Sequence, residues 1–357
     1  MAEADIVRQS FLRQAKACGD LGSPFTARLC TLLAERLDED TSVGKLILNW
    51  PGDPTGTGDA VALRLAGSLH ALVLSGSDSS LVAAYPPNIV GDEILWQACR
   101  SAFERDAAFI LQRLRSAPQT NEVRRSAALL PGFLTIARLF DKPLVLSEVG
   151  ASAGLNLQWD RYSYGLGDFT WGPESSVSLT PEWQGPPPPR AEIHVAERSG
   201  CDLNPLDPAS PEDRLRLMSY IWADQNDRLE RTQHALEIAV ENRLTVEKTD
   251  AIEWLEERLV TSRPRTVHVV YHTIAWQYLP EELKRRGEAL ISEAGSRATD
   301  DAPVARLQLE ADGRPDGAAI TLQVWPGQVW PDGEKYEIGR ADFHGRWIKW
   351  KGWPGLL

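Results

Sequence analysis

Cysteine is scarce in this chain of 357 residues: there are four, Cys18, Cys30, Cys99 and Cys201, and no two form a C-x-x-C pair. A disulfide framework or a zinc site on paired thiols is therefore not expected, whereas free buried thiols in a reducing compartment are. Basic residues are in deficit, with 38 Lys and Arg against 50 Asp and Glu and a formal net charge of −12. That balance argues against nucleic acid or an anionic membrane surface as partner and favours a small or neutral one. No stretch approaches 18 uninterrupted apolar residues, so no transmembrane helix is expected. The opening Met1-Ala2-Glu3-Ala4-Asp5 lacks the basic region and apolar run of a signal peptide, and the expected location is cytoplasmic. His268 and His272 are four apart, yet they flank the strand-like Val269-Val270-Tyr271. In a strand such positions lie about 13 Å apart, so no metal site is expected there.

What is present reads as an ordinary globular composition, and the length suggests two domains or one domain with an appendage. Residues 1–118 carry apolar stripes at helical spacing, and the reading is a helical N-terminal domain or lid. Ser23-Pro24 has the form of an N-cap followed by proline at the first helical position; Asp59 is placed to cap Ala60–Leu74, and Asp92 to open a helix running to about Arg115. Gln119-Thr120-Asn121-Glu122 is read as opening a further helix to Phe140, kinked at Pro131.

From Leu144 strands alternate with helices. The strand candidates are Leu144–Leu146, Ala191–Glu197, Leu244–Glu247, Val267–Tyr271 and Val304–Glu310, followed by Ala318–Trp325 and Arg346–Trp350. A surface insertion occupies about 165–190, and a long helix is expected from Ser210-Pro211 to about Glu241. This alternation is the pattern of a parallel sheet with right-handed crossovers, in which ligands sit at the carboxyl ends of the strands. Four candidate strands end in polar residues: Glu148, Asp202, Asp250, and His272 with Thr273. After Leu144–Leu146 comes Glu148-x-Gly150-Ala151-Ser152-x-Gly154, a glycine-rich turn able to offer backbone N–H groups and a helix start to a ligand.

The turn and its following strand ends resemble the class I S-adenosylmethionine-dependent methyltransferases, with Glu148-x-Gly150-x-Ser152-x-Gly154 as the first motif. Over nearly its whole length the chain also resembles a bacterial family designated domain of unknown function 2332. That resemblance is carried by Gly22-Ser23-Pro24, Gln119-Thr120-Asn121-Glu122-Val123, Gly150-Ala151-Ser152-Ala153-Gly154-Leu155-Asn156-Leu157, Asp202-Leu203-Asn204-Pro205-Leu206-Asp207, Trp276-Gln277-Tyr278-Leu279-Pro280 and His344-Gly345-x-Trp347. The implied fold is α/β: a Rossmann-like, methyltransferase-type, mostly parallel sheet with helices on both faces over 119–357, preceded by the all-α domain of 1–118.

The resemblance implies S-adenosylmethionine as cofactor, held by Glu148, Gly150, Ala151, Ser152, Gly154, Asp202, Asn204, Asp250 and Ala251. Asp202 would take the ribose, with Glu197 as its rival, and Asp250 the adenine. His272, Thr273, Tyr278, Asn121 and Glu122 would face a small-molecule or peptide-like acceptor, and association into a homo-oligomer is left open. The 54-residue gap from Glu148 to Asp202 exceeds that of a simple βαβ unit, and the missing helix at Ala311–Gly317 allows the last strands to meander. Two other readings stand beside methyl transfer. One is a non-catalytic nucleotide-ligand or partner-binding protein on the same fold. The other is a serine hydrolase with Ser152 as nucleophile in Gly150-x-Ser152-x-Gly154 and its triad drawn from Asp250 or Asp301 and His344. A dinucleotide fingerprint would need glycine where Ser152 and Leu155 stand.

Overall fold

The computed structural model describes residues 3–327 and 330–356. The chain divides into two compact units, residues 1–120 with 210–230, and residues 121–209 with 231–357.

The first unit is helical: α1 (Glu3–Asp20), α2 (Pro24–Arg36), α3 (Ser42–Leu48), α4 (Val61–Leu74), α5 (Ser79–Ala84), α6 (Asp92–Arg105) and α7 (Ala107–Leu114). Its core is built on a cluster that includes Phe11, Leu33, Ile47, Leu65, Leu69, Tyr85 and Phe103. Ser23 caps α2 as its sequence suggests, accepting from the Thr26 N–H, with Pro24 in the first turn. Asp59 does not cap α4: Ala60 holds that position in a left-handed conformation, and the Asp59 carboxylate accepts from Trp50 Nε1 at 2.8 Å. The helix expected over 92–115 breaks at Asp106 into α6 and α7.

Residues 210–230 join this unit for identifiable reasons. Asp224 accepts from Ser23 Oγ and, at 2.8 Å, from the Phe25 N–H, so it caps α2 from a distant part of the sequence. Tyr220 lies so close to Gly67 of α4 that a Cβ there would fall 2.6 Å from its ring.

The second unit is built on a nine-stranded sheet. It opens with α8 (Arg125–Phe140) and β1 (Leu144–Val149), then a 3-10 helix over Leu155–Arg161. The insertion after it contributes β2 (Ser163–Leu166), β3 (Phe169–Trp171), β4 (Ser178–Leu179) and β5 (Glu182–Gln184). The first three of these form a small separate sheet, while β5 joins the edge of the large one. Next come β6 (Val195–Asp202), α9 (Pro211–Ser219) of the first unit, α10 (Asn226–Glu241), β7 (Glu247–Lys248), α11 (Ala251–Leu259) and β8 (Val267–Thr273). The chain closes with α12 (Glu281–Ser296), β9 (Val304–Glu310), β10 (Ala318–Trp325), β11 (Tyr336–Ala341) and β12 (Trp347–Trp350).

Strand order in the large sheet is β5-β12-β11-β10-β9-β8-β1-β6-β7. The stretch β9-β8-β1-β6-β7 is parallel throughout, and β9 to β12 run as an antiparallel meander. The protein is thus α/β, with a large, mostly parallel sheet and a helical N-terminal region. Side chains alternate across the sheet. Leu144, Leu146 and Glu148 share one face with Tyr271, towards α8; Ser147, His268 and His272 lie on the other, towards α11 and α12. No helix among the described residues is long and apolar enough to cross a membrane, and the four cysteines are free and buried.

Candidate functional site

The chain enters β1 between two parallel neighbours reached from opposite directions, β6 on one side and β8 on the other. In open parallel sheets the crevice at the carboxyl ends of such strands is where ligands bind. Glu148, next to last in β1, is only 1% exposed. It lies in register with Tyr271 of β8, whose hydroxyl donates to its Oε2 at 3.3 Å. Burial pushes the Glu148 carboxyl well above the usual carboxylate range; the Tyr271 hydrogen bond and the Arg125 charge oppose that shift, and the Asp202 carboxylate adds to it.

The turn after β1 is tightly self-bonded. The N–H groups of Gly150 and Ala151 both donate to Cys201 O at 3.0 Å, and that of Ser152 donates to Asp202 Oδ2 at 2.9 Å. The N–H of Gly154 donates to Ala151 O, and that of Leu155 to Asn121 Oδ1 at 2.9 Å. These peptide N–H groups are therefore committed within the protein, and the α-helix start expected after the turn is replaced by a 3-10 helix. The cause lies in distant side chains. Tyr162 Oη donates to Leu155 O, Tyr164 Oη to Trp159 O and Arg198 to Leu157 O, taking carbonyls that an α-helix would have used, and Tyr271 Oη shares its one hydrogen between Glu148 Oε2 and Asn156 O, both at 3.3 Å.

Gly150, Ser152 and Gly154 all have positive φ, at 71°, 55° and 70°. A Cβ on Gly154 would lie 2.3 Å from Leu244 Cδ2, so this turn also packs against the segment leading to β7. Ser152 is the one residue of the three that carries a side chain in the left-handed region, which disfavours it by about 1 kcal/mol. Ser152→Gly is accordingly expected to raise stability by about 0.5–1 kcal/mol in urea denaturation; a destabilised variant would show that the Ser152 side chain contributes more than its backbone costs.

Polar side chains converge here that the sequence reading did not single out. Ser126 Oγ donates to Asn156 Oδ1 at 2.7 Å, and Asn156 Nδ2 is buried with no partner among the described residues. Ser152 Oγ and both amide atoms of Gln158 are likewise buried and unpaired among the described residues. Tyr271 and Asn156 could have been paired with Glu148 only if strand register were known, and register is not written in one sequence. No histidine engages Ser152 Oγ among the described residues.

Of the other expected site residues, Asp202 closes β6 and receives the Ser152 and Asn204 N–H groups, both at 2.9 Å. Asp250 caps α11 through Oδ1 alone, accepting from the N–H groups of Ile252 and Glu253, and Ala251 is the first residue of that helix. The Thr249 N–H donates to Asp202 O, which makes the acids after β6 and β7 neighbours. Glu197, the rival ribose acid, is paired with Arg258 and Arg263, both at 2.6 Å, on the opposite face from Glu148. Glu122 is buried at the entrance to α8, accepting from the Arg124 N–H, and Thr273 O accepts from Arg125 Nη1.

His272 and Tyr278 do not join this group. His272 points to the far face, where its Nδ1–H donates to Glu310 at 2.7 Å and its Nε2 accepts from Arg306. Burial holds the His272 pKa below its ordinary value against the pull of Glu310. Tyr278 is 75% exposed. His268, with Ser147 Oγ at 2.9 Å, is pushed down to about 3, by burial first and then by Arg258.

A family model described as "Uncharacterized protein conserved in bacteria (DUF2332)" matches residues 8–350. The chain belongs to that family. The match runs through both units, so the glycine-rich turn and the acids at the strand ends lie within the family's span. No curated protein matches the sequence.

Proposed function

We propose that the second unit binds S-adenosylmethionine at the carboxyl ends of β1, β6 and β7 and transfers its methyl group to a small-molecule or peptide-like acceptor. One observation carries the reading: Glu148, Asp202 and Asp250 stand at the ends of three adjacent parallel strands, beside the point where the chain crosses from one side of β1 to the other. The five-strand parallel order β9-β8-β1-β6-β7 supports a methyltransferase-type Rossmann fold for this part.

The donor set fits an adenosine-containing ligand. Each Asp202 oxygen accepts one peptide N–H and keeps a lone pair for a ribose hydroxyl; Asp250 Oδ2 accepts no hydrogen bond among the described residues and suits an exocyclic amine. Buried and unpaired, Ser152 Oγ and Asn156 Nδ2 lack only a polar partner, which a bound molecule would provide. Because the turn's N–H groups are spent internally, recognition rests on these side chains rather than on a backbone cradle.

S-adenosylmethionine supplies a methyl group already activated on a sulfonium, so the protein's task is to align the acceptor and exclude water. Asn121, Glu122 and Thr273 stay on the crevice side for that role; His272, fixed behind the sheet, does not. Equilibrium dialysis with labelled S-adenosylmethionine tests the assignment: Asp202→Asn is expected to weaken binding about tenfold or more. Equal affinities in wild type and variant would remove Asp202 from the site. A protein that binds but transfers nothing to any acceptor would be a ligand-binding member of the same fold.

A further inference from the structure

The far face of the sheet holds a second polar centre, separate from the crevice at Glu148. Strands β9 and β10 put Arg306, Gln308 and Glu310 beside Gln323, Thr321 and Ala319, residue opposite residue, under α12. A sheet face covered by a helix is ordinarily apolar. Here it borders a cavity of about 290 Å³, lined by Trp276, Gln308, Thr321, Lys335 and the small Ala311 and Ala319 among others.

The lining is unfinished as a hydrogen-bond network. Trp276 Nε1, Gln308 Nε2, Thr321 Oγ1 and Gln277 Oε1 are all cut off from water and have no partner among the described residues. Gln308 is 5% exposed, which makes its unpaired amide costly to keep unless something else satisfies it.

Charge decides what that something is. The three carboxylates at the cavity are already answered. Glu310 accepts from His272 and from the N–H groups of Ala275, Trp276 and Gln277. Asp312 is held by Arg340 and Arg314, and Glu288 faces Arg306 at 3.9 Å. Of the cations, Lys284 is paired with Glu281 at 2.7 Å. Lys335 makes no hydrogen bond or ion pair among the described residues. Lys335, whose charge Glu288 and Glu310 answer only through space, stands with donors on Trp276 and Gln308 that have no partner among the described residues, a set that suits one negative charge carried on acceptor oxygens. A dianion would meet Glu288, Glu310 and Asp312 in addition. Thr321 Oγ1 and Gln277 Oε1 then ask for a donor on the same molecule, and the Trp276 ring with the two alanines for an apolar part.

We propose that this cavity binds a small monocarboxylate that also carries a hydrogen-bond donor, independently of any ligand at the Glu148 crevice. The probes are 3-phenyllactate, its methyl ester and 3-phenylpropionate, which differ in the charge and in the hydroxyl, titrated against the full chain by ligand-observed NMR. Phenyllactate is expected to bind, with the ester about tenfold weaker and phenylpropionate weaker than phenyllactate. Lys335→Met and Gln308→Leu should each weaken phenyllactate about tenfold while leaving S-adenosylmethionine binding unchanged. Lys335 lies at the surface and its replacement does not threaten the fold; a thermal melt checks Gln308→Leu. Absence of phenyllactate binding up to about 10 mM, an ester that binds as well as the acid, or affinity unmoved by both substitutions would each overturn the proposal.

Discussion

Trp159→Ala is expected to cost about 3–5 kcal/mol of stability, the range for emptying a large buried aromatic site. Trp159 is fully buried, stacked on Phe133 of α8 with ring centroids 4.2 Å apart and planes within 4°, and also against Trp171 at 5.7 Å. It is the anchor of the 3-10 helix that carries Leu155 and Asn156, so its loss loosens the segment that follows the glycine-rich turn. Its indole N–H has no hydrogen-bond partner among the described residues. Trp159→Phe therefore removes an unsatisfied donor along with volume, and should cost roughly 1–2 kcal/mol. Urea denaturation of the two variants separates the cases: a Phe variant as unstable as the Ala variant would show that ring stacking is not what holds this segment.

The second large effect is a pH dependence at Glu148. Its folded-state pKa is raised above the ordinary 4.5 by burial, against the Tyr271 hydrogen bond. The folded protein thus holds this proton more tightly than the unfolded chain. The associated stability is fully present below the unfolded pKa and is lost as pH rises through the folded value. Glu148→Gln cannot ionise, so the variant should gain stability relative to wild type as pH rises above the ordinary 4.5, with a limiting slope of about 1.4 kcal/mol per pH unit for one proton, until the raised folded value is passed. Unfolding free energies at a series of pH values check this. A gap that stays constant with pH would mean that the carboxyl is not the titrating group. An acid kept at such a cost in the middle of a strand end is a functional-site signal, because packing alone would favour the amide or an apolar residue.

How far the sequence alone led can be judged at particular residues. The alternation of strands and helices from Leu144 onward points to β1, β8 and β9 and to their parallel pairing, and to β10, which lies antiparallel beside β9. Ser23-Pro24 announced its helix because capping is local chemistry. The sequence places β6 too early, at Ala191–Glu197, because the residues from Arg198 on look like loop; Arg198 is in the sheet because Asp160 neutralises it. Strand β11 was passed over for a similar reason: Arg340 is buried there against Asp312, a pairing 28 residues away. The helix expected from 119 starts only at Arg125, since Asn121 and Glu122 turn their side chains to neighbouring backbone N–H groups. The long helix expected from Ser210 to about Glu241 is two, α9 and α10.

At the candidate site the acids at 148, 202 and 250 were legible because strand ends are where such residues stand out. The 3-10 helix and the spent N–H groups were not, since they depend on Tyr162, Tyr164, Arg198 and Cys201 arriving from elsewhere. Nor was the polar face of β9 and β10, where alternating Arg306, Gln308 and Glu310 read as solvent-facing positions although a helix covers them.

Calorimetric titration of the wild-type protein with S-adenosylhomocysteine bears most directly on the adenosine site. Saturable one-to-one binding is expected, with S-adenosylmethionine competing for the same site and Asp250→Ala reducing the affinity. A protein that gives no binding heat with either compound up to about 1 mM, while remaining folded, would contradict the account.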